Sequence, residues 1–210
     1  MLRYTSIVVI VISLGWFILA LRKKPTGLSK SWKWLTQQGK NLWMDVTHGK
    51  FSEMGKHFKG YVYFLTLLCF IVLAVSGLIP FLVLGEPLSG FLLLVHVAVT
   101  PVFAILMVLS AIIWANSQQF TPANWKWAKT SLLKSAKTKK EENGANEFWS
   151  KVLFWLAVLF TMLLASIVLS MYPLFGSIGQ KFLLDFHKFS SIALTVVVLF
   201  HILVLVRTQK

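Results

Sequence analysis

Apolar residues in this chain come in long runs separated by shorter polar stretches, with no sustained alternation along the sequence. Five runs, Tyr4 to Leu21, Gly60 to Leu84, Leu88 to Ala115, Phe148 to Leu174 and Phe182 to Val206, reach the roughly 20 residues that carry an α-helix across a hydrocarbon core. The pattern predicts an all-α integral membrane protein with five transmembrane helices. Between the first two runs, Leu28 to Phe51 sets Trp32, Trp34, Leu35, Leu42 and Trp43 among lysines, the pattern of a helix lying at the membrane interface. Asn116 to Trp149 reads as a polar loop with one surface helix.

The spans use most of 210 residues, which leaves no room for a second globular domain. The chain therefore divides into an anchor helix over 1–25, a basic interfacial segment over 26–55 and a four-helix domain over 56–210. The first run has Arg3 ahead of it and Arg22-Lys23-Lys24 behind, the flanks of a retained helix and not of a cleaved signal.

Composition agrees: 57% of residues are hydrophobic and the mean hydropathy is +0.72. A net charge of +14 would suggest nucleic acid as partner for a soluble chain, but here topology accounts for it. Eighteen of the 21 Lys and Arg fall on one side of the five-span arrangement, leaving Arg3, Lys181 and Lys188 on the other. The positive-inside rule then puts the N-terminus outside and the C-terminus in the cytoplasm. Contact of the basic loops with anionic lipid is a secondary effect.

Cys69 stands alone, so disulfides, thiolate clusters and a C-x-x-C-H haem attachment are excluded. The sequence holds no Gly-rich phosphate loop, no G-x-S-x-G and no H-E-x-x-H, which argues against a hydrolase or an ATP-driven pump. The chemistry falls to the histidines. His187 and His201 lie 14 residues apart in the last run, a rise of about 21 Å that returns to within about 40° of the same helix face. His57 opens the second span, level with His201, and His96 lies in the outer half of the third, level with His187. An ionisable side chain inside a span marks a functional site or a buried partner, and paired imidazoles on facing helices are axial ligands of b-type haem. Two haems about 20 Å apart follow from the helix rise. His48, in a polar segment, has no partner at its depth.

Residues from about Lys56 to the C-terminus resemble the di-haem cytochrome b gamma subunit of membrane-bound formate dehydrogenases, and more loosely the cytochrome b subunits of nickel-iron hydrogenases. The resemblance is carried by His57, A-V-S-G-L (Ala74 to Leu78), L-V-H-V (Leu94 to Val97), K-V-L-F-W (Lys151 to Trp155), Tyr172-Pro173 and the H-x13-H of the last span. It implies a bundle of the last four helices in a bacterial inner membrane, with His57 and His201 on the cytoplasmic haem and His96 and His187 on the outer one. Gly77 would let a porphyrin approach, while the fourth-span position where the family has another glycine is Ile167 here. Lys151 and Asn146 fall on the quinone-site stretch. The implied partners are an outer iron-sulfur or multihaem subunit, a catalytic subunit and the quinone pool, so the chain is an electron-transfer subunit whose own share in catalysis is confined to the quinone. Lys181 and Lys188, and Lys56, Lys59 and Arg207, are candidates to neutralise haem propionates. Two other readings stay open on the residues alone: a cofactor-free membrane anchor or assembly subunit, and a proton-coupled carrier, against which the scarcity of buried carboxylates counts.

Overall fold

The computed structural model describes residues 2–22, 25–48, 51–133, 139–165, 167 and 175–208. Its elements are α1 (Leu2–Arg22), α2 (Pro25–Thr47), α3 (Phe51–Leu78), a π-helical turn (Ile79–Leu84), α4 (Gly90–Trp114), α5 (Pro122–Leu133), α6 (Lys139–Leu164) and α7 (Gly176–Thr208), with no strand among the described residues. Five helices are long and apolar enough to cross a membrane: Arg3–Arg22, His57–Leu84, Gly90–Trp114, Gly144–Leu164 and Gly176–Val206. This is a multi-pass membrane protein, and the apolar side chains exposed on α1 and α4, such as Ile12, Leu19, Leu94 and Ile105, are those of lipid-facing helices.

The fold groups into two compact units, one of residues 1–9 and 24–115, the other of residues 10–23 and 116–210. In the first, α3 and α4 form an antiparallel hairpin. Its rungs are Tyr63 with Trp114, Thr66 with Ser110, Phe70 with Phe103 and Ser76 with His96. The chain reverses at Gly85, whose φ of 75° places it in the left-handed region that closes the π-helical turn. Arg3 caps that end by donating from Nε to Leu82 O at 3.2 Å and from Nη2 to Val83 O at 2.9 Å.

The interfacial helix predicted over Leu28 to Phe51 is α2. Its contacts with α3 run from Trp34, against Tyr63, to Asp45, which accepts from the buried Tyr61 hydroxyl at 2.5 Å. They cover about 16 Å of α2 but only a few Å of α3 at 1.5 Å per residue, so α2 crosses α3 steeply. Trp32 and Trp43 are exposed on α2.

In the second unit α6 packs on α7, and α5 on the first half of α6. Three boundaries differ from the sequence expectation. Helix α6 begins at Lys139 because the Lys- and Glu-rich stretch that read as loop is also good helix former. Its continuous helix ends at Leu164, short of the expected Leu174, while residues 166 and 168–174, Tyr172-Pro173 among them, lie outside the described residues. Helix α7 starts at Gly176, six residues early, and its 33 residues extend about 50 Å, well beyond an about 30 Å hydrocarbon core.

Candidate functional site

Four histidines were expected to carry the chemistry. The first unit holds His57 and His96, at opposite ends of its hairpin. His57 is exposed near the start of α3, its ring 5.9 Å from that of Tyr61. His96 is level with Ser76, 19 residues further along α3, a rise of about 28 Å. These two therefore cannot share one ligand.

His96 sits in a cradle made by consecutive residues of α3. Its Nδ1 is 3.0 Å from Ser76 Oγ, which in turn donates to Val72 O at 2.7 Å. A Cβ at Gly77 would stand 3.0 Å from His96 Cε1 and 3.4 Å from Nδ1. The absence of a side chain at Gly77, expected to admit a porphyrin, here admits the imidazole itself. One turn on, Thr100 Oγ1 donates to His96 O at 2.6 Å, and Pro101 leaves the carbonyl of Val97 without its helical donor.

The second unit holds His187 and His201 on α7. Between them the stripe Ser190, Leu194, Val197, at helical spacing of three and four, is buried, so the two histidines lie on the same face of α7 as that stripe, while Ile192, Leu203 and Val206 are buried on the opposite face. His187 is half-buried and flanked by Asp185 and Lys188, which pair at 3.4 Å on the same helix. The Nδ1 of His201 is buried without a hydrogen-bond partner among the described residues. Lys59 and Lys181 are exposed, whereas the side chains of Lys56 and Arg207 lie outside the described residues.

Lys151 is buried, 6% exposed, which is costly for a cation without partners. It has two: Nζ donates to Asn124 Oδ1 and to Glu147 Oε1, each at 2.8 Å. Asn124 Nδ2 donates to the same carboxylate at 3.1 Å. Asn146 takes no part in this triad. The sequence reading did not find Asn124, although Thr121-Pro122-Ala123-Asn124 carries a helix-start signature. Thr121 N donates to Asn124 Oδ1 at 2.9 Å while Asn124 N points back at Thr121 Oγ1 at 3.4 Å. Phe120 and Trp127 each pack a tilted ring against Phe148, next in sequence to Glu147, and an open groove of about 520 Å³ is lined by Phe120, Pro122, Trp125, Lys126 and Lys129.

Residues 62–210, well over half of the chain, match the family described as prokaryotic cytochrome b561. The chain belongs to that family. Prokaryotic cytochromes b561 are membrane helical bundles that bind b-type haem and transfer electrons, and those properties extend to this chain. The match includes His96, His187 and His201 and begins just after His57. No curated protein and no solved structure matches the chain. The residues present fit a b-type haem by the chemistry of the donor set, since imidazole is its usual axial donor. No group of three or more metal-ligating side chains occurs among the described residues.

Proposed function

We propose that this chain is the membrane electron-transfer subunit of a respiratory oxidoreductase complex, carrying two b-type haems between a redox partner outside the membrane and the quinone pool. The observation that carries the reading is the register of α7, which puts His187 and His201 on one buried stripe about 21 Å apart in a chain whose family binds b-type haem. His57 and His201 are the proposed ligands at the cytoplasmic level, His96 and His187 at the outer level. Haem bound at each level supplies an iron that gains and loses one electron at a time.

The residues contribute the rest. Neutral imidazoles present a nitrogen lone pair within an apolar bundle, where a charged ligand would be costly. Gly77 makes room for the His96 ring. At the cytoplasmic end Lys151 and Asn146 are the proposed quinone contacts: the Lys151 ammonium has three donors, and Asn124 and Glu147 engage two. The third is available to a quinone carbonyl. The basic loops support an outside N-terminus and a bacterial inner-membrane location. The primary oxidation or reduction belongs to a catalytic subunit, reached through an iron-sulfur or multihaem partner, as the resemblance to the formate dehydrogenase gamma subunit suggests.

Single replacements of the four histidines by Leu test the pairing through the absorption spectrum of the reduced purified protein. Loss of the same component in the His96 and His187 variants, and of the other in the His57 and His201 variants, is the expected result. Four variants that each keep both components would refute it.

A further inference from the structure

Helix α5 carries Lys126 and Lys129 and no acidic residue of its own. Lys126 stands about one turn from the positive end of the helix dipole, where a cation is disfavoured unless an anion is near. Among the described residues the carboxylate bonded to α5 is Glu147, and Lys151 already balances its charge at 2.8 Å. Pro122, Trp125, Lys126 and Lys129 recur at spacings of three and four and are all exposed, so one face of α5 presents them together. With Phe120 they line the open groove of about 520 Å³. That volume lies within the roughly 300–1,000 Å³ of small-ligand sites.

The contacts of α5 set the depth of this groove. Asn124 bonds to Glu147 and Lys151, and Phe120 and Trp127 pack on Phe148, which opens the apolar run that carries α6 into the hydrocarbon. Trp155, one turn further along α6 than Lys151, still donates from its indole to Gln118 O at 3.0 Å. The groove therefore lies where headgroups meet acyl chains, the level at which tryptophan rings settle and lysines meet lipid phosphates.

We propose that the groove is a discrete binding site for one anionic phospholipid, in the leaflet that the positive-inside rule makes the cytoplasmic one. Lys126 and Lys129 hold the headgroup phosphate, and Phe120, Pro122 and Trp125 cover the first methylenes of the chains. A soluble anion would leave the apolar walls unused, and a neutral lipid would leave the two ammonium groups without a counter-charge. The site differs from diffuse attraction of the basic loops in needing two cations and three apolar side chains at one place.

Native mass spectrometry of the full-length purified protein in detergent, titrated with phosphatidylglycerol or phosphatidylcholine, tests the site. The tightest-bound lipid is expected to be one phosphatidylglycerol. A lysine near anionic lipid is worth about fivefold in affinity, so Lys126→Gln with Lys129→Gln should weaken that binding about 25-fold. Lys30→Gln with Lys33→Gln, the same change at the same spacing on the exposed face of α2, should leave it unaltered. Trp125→Ala, which keeps every charge, should weaken both lipids several-fold. Equal losses from the two lysine pairs, wild-type protein that does not prefer phosphatidylglycerol, or release of the lipid by millimolar inorganic phosphate would each overturn the proposal.

Discussion

His96 and His201 are both imidazoles set into apolar helices, and their surroundings treat them in opposite ways. His96 has its Nδ1 matched by a serine whose own proton is already committed, and a glycine that makes room for its ring. His201 has a buried Nδ1 with no partner among the described residues. Leaving such a group unmatched costs on the order of 1–3 kcal/mol. One histidine is oriented before any ligand arrives; the other retains a polar edge that burial alone does not explain. Burial therefore says little about a histidine's role until the partner of each ring nitrogen is known.

The largest test of this contrast removes the rings. His96→Leu and His201→Leu should each abolish one b-type component completely, but in haem-free protein they should diverge. Replacing His201 removes an unsatisfied edge and should be neutral or stabilising by about 1 kcal/mol, whereas replacing His96 discards a made hydrogen bond and should be destabilising by a similar amount. Denaturation in detergent measures both, and equal effects would erase the distinction. Next in size, Gly77→Val forces methyl groups onto the His96 ring. It should cost about 1–3 kcal/mol and deplete only the component that His96→Leu removes, read from the reduced spectrum.

Lys151→Met extends the comparison to a buried polar group with full satisfaction. Asn124 and Glu147 would lose their shared donor, and since the Glu147 side chain is 57% exposed the loss should be about 1–2 kcal/mol, expressed as faster hydrogen exchange in α5 with haem content unchanged. Arg3→Ala should have the smallest effect, about 1 kcal/mol or less, because its bonds to Leu82 O and Val83 O lie near solvent. Protease sensitivity of the turn around Gly85 would register it.

Much of this protein was legible before its structure. Hydropathy locates spans because lipid demands continuous apolar helix, and a period of about 100° per residue makes the shared face of His187 and His201 arithmetic. Contacts between segments were not legible. Ser76 meets His96 across 20 residues, and Lys151 meets Asn124 across 27, so no local period relates them. Signals existed in both cases: a Ser-Gly pair inside an apolar span, and a Thr-Pro-x-Asn helix start. Boundaries slipped where composition is ambiguous, as in the Lys139 stretch, whose residues suit loop and helix alike.

The central claim is that paired histidines at two depths hold two haems. Haem content per polypeptide of the purified full-length chain, by pyridine haemochrome together with its reduced-minus-oxidised spectrum, tests that most directly. Two b-type haems per chain is the predicted result, and a chain that purifies folded with one haem or none would contradict it.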